Sequence, residues 1–171
     1  MKYSEFLKWE PRSPGNAFIF ICPDDLLLDE SRNVWGRIFG GDWVFERLGV
    51  REFEGMEGSE LLEAALGPPL FGPARALLVS GAGKVTKKKM ALVEEVGALP
   101  ESSLKIILVA SSRRELPKSK GRLPTVEVDA IRAPDAVRWL RDRFGIGPDV
   151  ATYLVETLGP ELGPLAAEME K

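Results

Sequence analysis

Short apolar runs alternating with helical stripes set the rhythm of this chain. Ala17-Phe18-Ile19-Phe20-Ile21-Cys22 is continuously apolar and is stopped by Pro23, the pattern of a strand covered on both faces. Asp24-Asp25 then offers a cap. Leu27, Leu28, Val34, Trp35, Ile38 and Phe39 follow at helical spacing, and Gly40-Gly41 ends the helix. The stretch from Asp42 to Gly58 has no clear period, and Arg51-Glu52-Phe53-Glu54 is read as a strand within it. Ser59 caps a short helix through Leu61, Leu62, Ala65 and Leu66, which Gly67 and Pro68 close. A second apolar run, Ala76-Leu77-Leu78-Val79, comes after the turn Leu70-Phe71-Gly72-Pro73. A helix around Lys87 to Gly97 precedes a third run, Leu104 to Ala110, and a basic loop leads to a fourth, Thr125 to Val128. Strands alternating with helices predict a parallel α/β sheet with helices on both faces. The first sixteen residues read as a loose lead-in, because Pro11, Pro14 and Gly15 interrupt any period.

The pattern changes at Ile131-Arg132-Ala133-Pro134, beyond which only helical stripes follow. Val137, Leu140 and Phe144 form one stripe ended by Gly145, and Val150, Leu154 and Leu158 form another ended by Gly159. Leu162, Leu165 and Met169 begin a third. The expected organisation is an α/β domain over residues 1–130 and the start of an all-helical domain over residues 134–171.

Composition narrows the chemistry. With no histidine and only Cys22, the chain has no Ser-His-Asp triad, no imidazole acid or base, no intramolecular disulfide and no cysteine-based metal cage. A net charge of −3 on 171 residues lacks the global basic excess of a dedicated DNA-binding domain. Protein partners are therefore expected, with DNA touching at most a local basic patch. There is no apolar run of membrane-spanning length, and Met1-Lys2-Tyr3-Ser4-Glu5 lacks a secretory pattern, so a cytoplasmic chain with no membrane association is expected.

The candidate chemical motif is Gly81-Ala82-Gly83-Lys84-Val85-Thr86, between a strand and a helix. A phosphate-binding loop needs Gly-x-x-x-x-Gly-Lys-Ser/Thr, so that backbone N–H groups cradle phosphate and a hydroxyl holds magnesium. Here the first glycine position is Leu78 and the residue after Lys84 is Val85. The turn after the first strand, where such a loop belongs, is Pro23-Asp24-Asp25 and brings negative charge instead. Gly81 and Gly83 are thus read as residues that tighten a turn. No catalytic residue, no metal ligand and no cofactor is assigned. Asp24, Asp25, Asp29 and Glu30 read as a capped, solvated helix start rather than a magnesium or acid/base cluster. Ser111-Ser112-Arg113-Arg114 reads as a basic surface loop rather than an arginine finger. Lys84, Lys87, Lys88, Arg113 and Arg114 are candidate DNA contacts, against the plainer reading of solvated faces.

In order and spacing the chain resembles the delta subunit of the bacterial DNA polymerase III clamp loader. The resemblance is carried by Phe18 to Asp25, by Pro69-Leu70-Phe71-Gly72-Pro73-Ala74-Arg75 with the apolar run after it, by Leu99-Pro100 through Ala110, and by Ala136 through Lys171. Cys22 stands where relatives usually have glycine, and Ser111 to Arg114 stand where relatives often have an aspartate followed by basic residues. The resemblance implies an AAA+-like parallel sheet flanked by helices, followed by a small helical lid domain, with nucleotide binding lost. It also implies that Leu70 and Phe71 insert into a hydrophobic pocket of the sliding clamp (the beta subunit) and help open the ring. Composition alone favours a different role for this pair, as a plug at the edge of the core. Further implied partners are the other clamp-loader subunits and, in the full assembly, primer-template DNA. The chain would be a fragment without the family's collar domain, monomeric by itself. The alternative kept open is a divergent P-loop-type ATPase.

Overall fold

The computed structural model describes residues 1–12, 15–68, 73–117 and 122–171. Their contacts form two units, one of Glu10–Ile21 with Trp35–Glu127 and one of Met1–Trp9, Cys22–Val34 and Val128–Lys171.

In the first unit the described residues build a five-stranded sheet of β1 (Ala17–Ile21), β2 (Trp43–Gly49), β3 (Ala74–Ser80), β4 (Leu104–Ala110) and β5 (Thr125–Glu127), in the order β2-β3-β4-β1-β5. Every ladder is parallel, with Ile19 opposite Leu108 and Leu77 opposite Ile106. β1 and β4 are buried along their whole length, which explains their unbroken apolar character. On one face, Ile19, Leu77, Val79, Ile106 and Leu108 form a core with three helices. These are α3 (Val50–Gly55), which supplies Phe53, α4 (Gly58–Leu66), which supplies Leu61 and Ala65, and α5 (Lys87–Gly97), which supplies Met90, Val93 and Val96. The other face is aromatic. Trp35, late in α2 (Asp25–Phe39), lies 5.1 Å from Phe18 and 5.5 Å from Phe20 between ring centroids, and Phe39 continues the cluster to Trp43 and Phe45.

Three local expectations need correction. Trp43–Gly49 is a strand, and Arg51 to Glu54, expected as a strand, belongs to helix α3. β2 is an edge strand whose residues are exposed or half-buried, so Glu46 and Arg47 interrupt the apolar pattern that marks a central strand. In 51–54 only Phe53 is buried, and four residues are too few to separate a period of two from one of 3.6. Helix α4 also starts one residue before Ser59, with Glu57 at its N-cap.

In the second unit the lead-in contains a short helix, α1 (Tyr3–Phe6), in which Phe6 is fully buried and Tyr3 nearly so. Burial pushes the Tyr3 hydroxyl up to about 12, with the Glu30 carboxylate adding to the shift. Three helices follow, α6 (Ala133–Phe144), α7 (Pro148–Leu158) and α8 (Leu162–Met169). Gly145, at φ +67°, closes α6 in the left-handed conformation that favours glycine. On α7 the buried positions are Ala151 and Val155, while Val150 and Leu158 of the expected stripe are exposed. The small Ala151 side chain lets the neighbouring helix approach, so the apolar stripe read from the sequence is offset from the packed face.

Candidate functional site

The turn after β1 is the place where a sheet of this kind would receive phosphate, because the N–H groups that open the next helix point out of it. In this chain those groups are taken by the chain itself. Asp24 Oδ1 accepts hydrogen bonds from the Leu26 N–H at 2.8 Å and the Leu27 N–H at 3.0 Å, which caps α2 as its sequence position suggests. The second oxygen, Oδ2, accepts from the Leu162 N–H at 3.1 Å. The buried Cys22 thiol donates to the Asp24 carbonyl oxygen at 3.3 Å, which helps fix the turn. Asp24, Asp25 and Glu161 line a cleft of about 410 Å³ together with Pro23, Pro160 and Pro164. Its ionisable lining is entirely acidic, so electrostatics disfavours an anionic ligand there.

The glycine-rich turn after β3 is built differently. Gly81 has φ +89°, and Ala82–Lys84 form a single 3-10 turn. A methyl group on Gly81 would lie 3.2 Å from Val50 Cγ1, and one on Gly83 would lie 2.7 Å from the Glu115 carbonyl oxygen. The glycines answer to backbone conformation and to close packing. Thr86 caps α5 by accepting from the Lys89 N–H at 3.3 Å, and the Glu54 carboxylate accepts from both the Thr86 N–H (2.7 Å) and its hydroxyl (3.1 Å).

Among the candidate DNA contacts, the packing of Gly83 against Glu115 brings Lys84 near the 3-10 turn Arg113–Glu115 that follows β4. Lys84, Lys87, Lys88, Arg113 and Arg114 are all exposed. Their charge is partly answered locally. Arg113 pairs with Glu127 and holds that carboxyl below its ordinary value, and Glu115 is held down by the Ser111 hydroxyl and N–H, with Lys84 contributing. Lys87 and Lys88 open α5, while Lys89 turns inward, donates to the Met56 carbonyl oxygen and lies 5.5 Å from the centroid of the Phe53 ring.

Leu70 and Phe71 lie outside the described residues. They belong to the connection between α4 and β3, whose nearest described neighbours are Gly67-Pro68 on one side and Pro73 on the other.

Sequence reasoning missed two features. Lys105, inside β4, is buried, donates to Asn16 Oδ1 and sits 5.3 Å and 5.4 Å from the Phe39 and Trp43 ring centroids. Desolvation lowers its pKa. Two aromatic faces offset part of that cost. The tie between Asp24 and Leu162 joins residues 138 positions apart, and no local signal announces it.

No protein-family model matches the chain, and no curated protein matches it in sequence. Solved structures do match. The Bacillus subtilis DNA clamp loader delta protein is similar over 98% of this chain and 55% of its own, with a TM-score of 0.54 and 16% identity. The FIGL-1 AAA domain, solved in complex with ADP, is similar over 91% of this chain and 60% of its own, at TM-score 0.56 and 11% identity. A DNA polymerase III gamma subunit-related protein from Thermotoga maritima is similar over 91% and 53%, at TM-score 0.55 and 14% identity. The chain thus spans little more than half the length of these proteins. At such identities the likeness is one of fold, and the fold is α/β of the AAA+-like type with a helical part.

Proposed function

We propose that this chain acts as a clamp-gripping protein of the clamp-loader delta type, which binds the sliding clamp through Leu70 and Phe71 and helps open the ring without hydrolysing ATP. The observation that carries this reading is the acidic, self-capped turn after β1 on an AAA+-like sheet. Asp24 holds the N–H groups that a phosphate would need, and no lysine stands in the turn. An AAA+-like scaffold with that turn filled is suited to binding proteins rather than to turning over nucleotide. The same geometry weighs against the divergent ATPase. The sequence resemblance contributes the Leu-Phe pair, and the rings of Pro68, Pro69 and Pro73 restrict the backbone beside it, which limits the entropy lost on docking. In the assembled loader, the other subunits would be protein partners, and Lys84, Lys87, Lys88, Arg113 and Arg114 would face primer-template DNA.

The test is size-exclusion chromatography of the full chain mixed with its cognate sliding clamp. The wild-type chain co-elutes with the clamp. Leu70→Ala combined with Phe71→Ala keeps the circular dichroism spectrum and loses co-elution, because truncating a hot-spot anchor costs at least about 2 kcal/mol. Clamp retention by the double variant contradicts the proposal.

A further inference from the structure

One carboxylate in this chain serves two helices. Asp24 Oδ1 meets the N–H groups of Leu26 and Leu27 in the first turn of α2, and Oδ2 meets the N–H of Leu162, the first residue of α8. All of these residues belong to one unit. The start of α8 has no cap of its own, since the Glu161 side chain makes no capping bond. Gly159, at φ +87°, and Pro160 bring the chain round to that point. Leu162 is fully buried, as is Leu165 one turn later. Without Asp24, the Leu162 N–H would lose the carboxylate that accepts its partly buried hydrogen bond, and water in the cleft would replace that bond only in part. An eight-residue helix is too short to persist on its own propensity, so its position depends on what holds it.

We infer that Asp24 is a conformational latch, with one oxygen capping α2 and the other fastening the first turn of α8 to the β1–α2 turn. The latch is built from the chain's own carboxylate, so it holds with no small molecule present. It is an internal anion, and while it is in place the start of α2 is closed to an external one. Asp24 fastens α8 whether or not the chain binds a clamp.

The distinguishing experiment is amide hydrogen exchange on the full chain, comparing wild type with Asp24→Ser and Asp24→Ala. A serine hydroxyl still caps α2 but is too short to reach Leu162 as well, whereas alanine does neither. In Asp24→Ser the Leu162 amide and the first turn of α8 exchange about tenfold faster or more, while Leu26 and Leu27 keep their protection. In Asp24→Ala both places speed up. Exchange at Leu162 that stays within about twofold of wild type in Asp24→Ser overturns the latch. So does a first turn of α8 that loosens only when α2 loosens with it.

Discussion

Two strand-to-helix turns in this molecule look as if their roles had been exchanged. The turn after β3 has the composition of a phosphate loop, with two glycines, a lysine and a threonine, yet its glycines are needed for a left-handed residue and for contact with the Glu115 backbone. The turn after β1 has the position of a phosphate loop and the opposite composition, and Asp24 takes its helix N–H groups. Residue type alone would place nucleotide chemistry at the wrong turn. The useful question is which groups already hold the N–H donors that open the helix, and after β1 the answer is a carboxylate.

Substitutions can break this contrast in order of their expected size. Gly83→Ala is the most disruptive, because the new methyl meets backbone rather than a movable side chain. It should lower stability by about 1–3 kcal/mol, the usual scale of overpacking, read as a drop in the urea midpoint. A neutral outcome would mean that the glycine is not there for packing. Asp24→Ala should cost about 0.5–2 kcal/mol by the same measurement, and Asp24→Ser should recover the part due to the α2 cap. Equal losses in the two variants would mean that the α2 cap contributes nothing and that the whole cost lies in the tie to Leu162.

The smallest effect lies away from both turns and serves as their control. The Arg75 guanidinium hydrogen-bonds Glu46 from β3 to β2, at 2.6 Å and 2.8 Å, and holds the Glu46 carboxyl below its ordinary 4.5. The folded state thus favours the ionised carboxylate. Its contribution is present above the unfolded pKa and is lost as pH falls through the depressed folded value. Both side chains are more than a third exposed or close to it, so the pair is worth only about 0.2–1 kcal/mol. Arg75→Met should remove that contribution above pH 4.5 and flatten the acid side of a stability profile, with little change at its lowest pH.

Legibility in the sequence followed burial. β1 and β4 could be read directly because both faces are covered, and α5 matched its expected span of Lys87 to Gly97. The edge strand β2 was hidden by its charged residues, and the Val150-Leu154-Leu158 stripe pointed to the less buried side of α7. Asp24 was legible as a cap, because a cap is a local feature. Its bond to Leu162 was not, since long-range partners leave no periodic trace. Lys89 and Lys105 have the look of solvated charges in sequence, yet each is buried beside aromatic rings that accommodate its ammonium group. The assignment of Leu70 and Phe71 comes from the resemblance, and both residues lie outside the described residues.

Calorimetric titration of the cognate sliding clamp into the full chain, with and without magnesium and ATP, bears most directly on the proposal of a clamp-gripping protein that has no use for nucleotide. The expected result is a binding isotherm with the same dissociation constant in both buffers and no heat from ATP alone. Binding that appears only when ATP is added, or that is absent in both, would contradict it.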